Sequence, residues 1–139
     1  MRCISLLVLL CVGLAPAIAF AKPTEQERAK ICAKAEKRYK KLFGKAPGDE
    51  PVTIVMMYKY TFCPDNLTVK KGQTVRWVNV DKRTSHSVWF KEQGKPESER
   101  LFGEEQVEMK IDIGPGTQRY LCGPHHKEED MIGTLTVTE

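Results

Sequence analysis

Cys122, His125 and Met131 fall within ten residues of one another, in Tyr120-Leu121-Cys122-Gly123-Pro124-His125-His126-Lys127-Glu128-Glu129-Asp130-Met131. One thiol, one imidazole and one thioether on a short stretch can act together as metal ligands. A trigonal set of one thiolate and two neutral imidazoles, with a weak axial thioether, suits a copper ion that exchanges single electrons. Such a set needs a second imidazole from elsewhere in the chain. Of the three histidines, only His86 lies outside this stretch, in Ser85-His86-Ser87-Val88-Trp89-Phe90. Zinc also accepts Cys and His, so donor types alone leave it open.

The donors need a rigid frame. Alternating runs precede and follow the stretch, Thr117 to Cys122 and Thr134 to Thr138, and read as strands. Gly123-Pro124 turns the chain between the Cys and the first His. Further strand-like runs are Val52 to Tyr60, Leu67 to Lys70, Thr74 to Val80, Ser87 to Lys91 and Gln106 to Ile113, with turns at Lys71-Gly72 and Gly114-Pro115-Gly116. Many short strands at this spacing predict an all-β sandwich. By alternation Val75, Trp77, Met109, Ile111, Ile113, Tyr120, Leu135 and Val137 face inward. Glu92 to Arg100 shows no periodicity and reads as an exposed loop. Ahead of the strands, Pro23 to Lys45 reads as a helix. Thr24 and Glu27 form a capping box, and Gly44 is a stop. Ile31, Ala35, Tyr39, Leu42 and Phe43 share one face. Lysines load the rest of the helix, either as a solvated surface or as a docking arm for an acidic partner.

The order His, long gap, Cys-x-x-His, Met, final short strand resembles the blue type 1 copper proteins, or cupredoxins, of the plastocyanin, pseudoazurin and amicyanin kind. Phe62-Cys63-Pro64-Asp65-Asn66-Leu67-Thr68-Val69-Lys70-Lys71-Gly72-Gln73-Thr74-Val75-Arg76-Trp77-Val78-Asn79 resembles that family's early strand pair. The resemblance covers about Pro51 to Glu139. It implies a Greek-key β-sandwich, here with an added N-terminal α-helix. It also implies a single copper per chain, cycling between +2 and +1, on His86, Cys122, His125 and an axial Met131. The His125-to-Met131 spacing is one residue longer than in plastocyanin-like loops, so Met131 could instead be plain core. Ser87 stands where the family often carries Asn and would tie the two ligand loops together. His126 reads as an exposed neighbour, with the alternative that it binds in place of His125.

Residues 1–21 read as a secretory leader. Arg2 supplies the positive start, Ile4 to Leu14 the apolar stretch, and cleavage is expected after Ala21. The apolar stretch is too short to span a membrane, so no stable insertion is expected after cleavage. Export places the chain in an oxidising compartment, the periplasm. The leader carries Cys3 and Cys11, leaving Cys32, Cys63 and Cys122. Two of these are expected to pair there, Cys32 with Cys63, with the remaining thiol as metal ligand. The layout is then a leader over 1–21, a helical extension over 22–45, a linker over 46–51 and the copper domain over 52–139. A net charge of +4 is too weak to argue for nucleic acid, and no basic stripe with interleaved aromatics appears. No nucleophile–base pair is evident, so no enzyme activity is expected. The expected function is one-electron transfer with a redox protein, such as a c-type cytochrome or a periplasmic oxidoreductase. A copper-delivery or storage protein, and a copper subunit of a larger redox enzyme, are the alternatives. The chain's five methionines include the start residue and an adjacent pair, Met56-Met57, which makes a poor thioether cluster for delivery.

Overall fold

A computed structural model describes residues 22–139; the leader and its cleavage site lie outside the described residues. One helix, α1 (Glu25–Phe43), precedes seven strands: β1 (Thr53–Tyr58), β2 (Thr61–Cys63), β3 (Asn66–Lys70), β4 (Thr74–Asn79), β5 (Gln106–Lys110), β6 (Gly116–Leu121) and β7 (Ile132–Thr138). They form two mixed sheets, β2-β1-β4-β5 and β3-β7-β6. The pairs β1–β4 and β3–β7 are parallel, while β1–β2, β4–β5 and β6–β7 are antiparallel.

Alternation decides which side chains face between the sheets. Val55, Met57, Val75, Trp77, Tyr120, Leu135 and Val137 meet there with Phe62, Val88, Phe90, Cys122 and Met131. Trp77, Tyr120 and Phe90 pack edge-on or tilted, with ring centroids 5.5 to 6.0 Å apart. Gly133 lies opposite Tyr120 in the β6–β7 ladder, and a Cβ there would overlap the Tyr120 ring. Of the residues expected inward, Met109 is only half-buried, because β5 is a sheet edge.

The outer face of the first sheet would otherwise be exposed apolar surface. Ile54, Met56, Val78 and Val80 point that way and are covered by Ala35 and Tyr39 of α1. The expected capping box forms: Thr24 Oγ1 accepts from Glu27 N–H, and Glu27 accepts from Thr24 N–H at 2.8 Å. Gly44 adopts the left-handed C-cap, φ 76°. The Cys32–Cys63 disulfide ties α1 to β2, as expected. A polar hub seals the helix end. Glu50, its side chain 5% exposed, accepts from Tyr39 OH at 2.6 Å and pairs with Lys45 at 2.9 Å and Arg76 at 3.4 Å.

Two expectations are revised. The strand expected over Val52 to Tyr60 is present but ends at Tyr58: Lys59 and Tyr60 take left-handed φ of 47° and 57°, and the chain doubles back into β2. Ser87 to Lys91 is not a ladder strand. This segment divides its bonds, His86 pairing with Leu101 and Trp89 with Leu121, so no continuous register develops.

Candidate metal centre

Three loops converge at one end of the sandwich. The β1–β2 turn brings Tyr60, the segment after β4 brings Asp81 and His86, and the β6–β7 loop brings Cys122 and His125. Donor atoms of His86, Cys122 and His125 all lie within 4.8 Å of one another. Cys122 Sγ is 3.8 Å from His86 Nδ1 and 3.3 Å from His125 Nδ1. Metal–thiolate and metal–imidazole bonds of about 2.3 and about 2.0 Å in a trigonal plane would set these separations at about 3.7 Å. The residues present therefore fit a first-row metal ion bound through Nδ1 of both rings and the Cys122 sulfur.

Each donor is held by the backbone around it. Asn79, fully buried, donates to the carbonyls of Thr84 and Leu101, both at 2.8 Å, and accepts from Asp81 N–H at 2.7 Å. That shapes the turn leading to His86, whose own N–H and C=O pair with Leu101 at 3.0 and 2.8 Å. In the other loop, Cys122 N–H donates to Met131 C=O at 3.0 Å, and His125 C=O accepts from Met131 N–H at 3.2 Å. These bonds close the loop on itself, extra residue included. Met131 is buried in the same core cluster as Cys122. Ser87 spans the two loops: its N–H points at Cys122 Sγ, 3.5 Å away, and its hydroxyl accepts from Gly123 N–H at 2.9 Å.

The metal-free electrostatics favour neutral rings. Burial, then the neighbouring His125, pushes His86 down to about 4. Burial also lowers His125. Burial raises the Cys122 thiol, against the Ser87 hydrogen bonds that favour its thiolate. Both imidazoles thus present a free lone pair at neutral pH, while the thiol must lose a proton to ligate. Asp81 Oδ2 lies 3.6 Å from His86 Nε2. With His86 neutral this is not an ion pair, and the distance is too long for a hydrogen bond, so it leaves Nε2 without a close partner.

His126 points away from the donor cluster. Its Nδ1 lies 2.7 Å from Gly123 C=O, and its ring packs edge-on to Trp89 at 6.1 Å. It is half-buried rather than exposed, because the loop folds back over it. Sequence reasoning missed three residues at this end. Tyr60 packs edge-on against His125, centroids 4.9 Å apart. Asp81 faces His86 and accepts from Lys59 N–H at 2.9 Å. Glu97 accepts from the Ser87 hydroxyl at 2.6 Å.

Residues 52–138 match the family model of copper binding proteins, plastocyanin/azurin family. The chain is similar to plastocyanin of Dryopteris crassirhizoma, 32% identical over 92 residues, covering 56% of this chain and 88% of that protein. It is 36% identical over 86 residues to plastocyanin of Scenedesmus fuscus, covering 55% and 85%. Among solved structures, a reduced Cu(I) form of an amicyanin variant is 25% identical, with TM-score 0.55 over 68% of this chain and 90% of that one.

Proposed function

Because the chain belongs to the plastocyanin/azurin family of copper-binding proteins, we propose that it is a periplasmic one-electron carrier, with residues 1–21 as its export leader. One copper ion per chain would be held by His86, Cys122 and His125, with Met131 as a further ligand. The observation that carries this reading is the buried thiol with two neutral imidazoles inside 4.8 Å, one of them half-exposed. The ion supplies a +2/+1 couple when bound.

The chain's own residues supply the rest. Cys122 releases its proton on binding, and the Ser87 N–H stabilises the resulting thiolate. The Asn79 and Met131 backbone bonds hold the donors in place, so little rearrangement accompanies a change in charge. Apolar neighbours, Val88, Leu101 and Met131 among them, exclude water. His125, at the loop tip, offers its ring edge to a partner. The redox partner is a protein such as a c-type cytochrome or a periplasmic oxidoreductase. The lysine face of α1 is a docking arm for an acidic one.

The test is the visible and electron paramagnetic resonance spectrum of the mature protein after Cu(II), then ascorbate. The expected result is an intense thiolate-to-copper band at one copper per chain, bleached reversibly by the reductant. Tight Cu(I) binding with no such band would overturn the carrier reading in favour of copper delivery.

A further inference from the structure

The Ser87 hydroxyl bridges the two donor loops and a third segment. It accepts from Gly123 N–H at 2.9 Å and is 2.6 Å from Glu97 Oε1. A hydroxyl has one proton, and an ionised carboxylate can only accept. The direction is therefore Gly123 N–H to Ser87 O–H to Glu97. Donation to a charged acceptor is the stronger kind, and it polarises the hydroxyl oxygen toward Gly123.

Two independent features build this arrangement. The segment carrying Glu97 is pinned to the segment after His86: Ser98 N–H donates to Val88 C=O at 3.0 Å, and Val88 N–H donates to Ser98 Oγ at 2.9 Å. At the other end, a Cβ on residue 123 would overlap the Glu97 carboxylate. The glycine after Cys122 is what lets Glu97 approach.

We propose that Glu97 is a positioning residue for the metal centre, acting on the Cys122 loop through Ser87 and Gly123. It orients the Cys122–Gly123 peptide, and so the thiolate. Its negative charge beside that thiolate favours the oxidised ion. Only this last effect rests on the copper reading above.

The test follows the Gly123 amide resonance in copper-free protein, and the midpoint potential after copper loading. In Glu97→Gln the amide proton is expected to move upfield, and further in Glu97→Ala, with the potential moving positive in the same order. Glu99→Gln, the same charge change on an exposed neighbour, leaves both in place. In a Ser87→Ala background, Glu97→Gln no longer moves the amide. An unmoved Gly123 resonance in Glu97→Gln and Glu97→Ala overturns the proposal. So does an equal potential shift in Glu99→Gln, which would reduce the effect to bulk charge. Both Glu97 variants alter an exposed residue, so the outcome does not depend on whether the buried Ser87→Ala folds. The amide readout needs no copper, so its failure is distinguishable from failure of the carrier reading.

Discussion

At the scale of single residues, the site makes separable demands on its two adjacent histidines. His125 shares the donor cluster, whereas His126 turns to the Gly123 carbonyl. His125→Ala is expected to abolish the thiolate-to-copper band and His126→Ala to keep it, read by absorption after Cu(II) addition. The raised Cys122 thiol makes a second prediction. Metal uptake at neutral pH should release a proton, measurable in weakly buffered solution, and apparent affinity should rise with pH until the folded thiol ionises. Tyr60 makes a third. Its left-handed backbone costs about 1–2 kcal/mol, a strain that Tyr60→Gly removes together with the ring contact on His125. That variant should change thermal stability little while altering the His125 ring resonances. His86, Cys122 and His125 were legible because Cys-x-x-His straddles a turn signal and only one histidine lies outside that loop. Tyr60, Asp81 and Glu97 were not, because their contacts are made across loops whose meeting no local pattern encodes.

At the scale of elements, α1 is held by covalent, apolar and polar means at once. Closing a loop with sequence separation 31 contributes about 4 kcal/mol in the chain-entropy picture, so a Cys32→Ser, Cys63→Ser double variant should lose roughly that in denaturant unfolding. The hub titrates at both ends of the pH range. Hydrogen bonds from Tyr39, then Lys45, hold the Glu50 carboxyl below 4.5, so its stabilisation is lost as pH falls beneath that value. Burial, then Glu50, pushes Tyr39 from 10 up to about 12, so its contribution fades as pH rises through that interval. Melting temperature against pH should fall on both flanks, and a Tyr39→Phe, Glu50→Gln variant should flatten both. The helix, its caps and its buried face were readable from periodicity, and the disulfide from compartment and cysteine count. The β1–β2 turn was not: Lys59-Tyr60 carries no Gly or Asn to announce a left-handed pair. Nor was the splitting of the 87–91 segment, since an apolar run reads the same whether its partners lie on one strand or on separate segments.

At the scale of the whole molecule, charge and architecture are divided. α1 carries seven basic and three acidic residues, so the positive excess is concentrated on one element. Among the described residues, its exposed Lys30, Lys34, Lys37, Lys40 and Lys41 form no ion pairs. Electron transfer to an acidic cytochrome should therefore slow as salt rises, and Lys34→Glu with Lys37→Glu should cut the association rate about tenfold at low salt. Stopped-flow kinetics across ionic strength would read this, with a flat profile counting against the helix as docking face. The sandwich class was legible as strand count and spacing. Which strands lie side by side was not, because parallel neighbours share no turn. That pairing governs time as well as shape. Asn66–Lys70 lies against Thr134–Thr138, so the second sheet has no centre until the last strand arrives. A chain synthesised α1 first must wait unassembled while its hairpins flicker, and only closure of this wide β3–β7 pairing commits it. Refolding should accordingly fall in the slow range of non-local β topologies, roughly milliseconds to seconds, and the thiol of Cys122 stays open to stray oxidation for that interval.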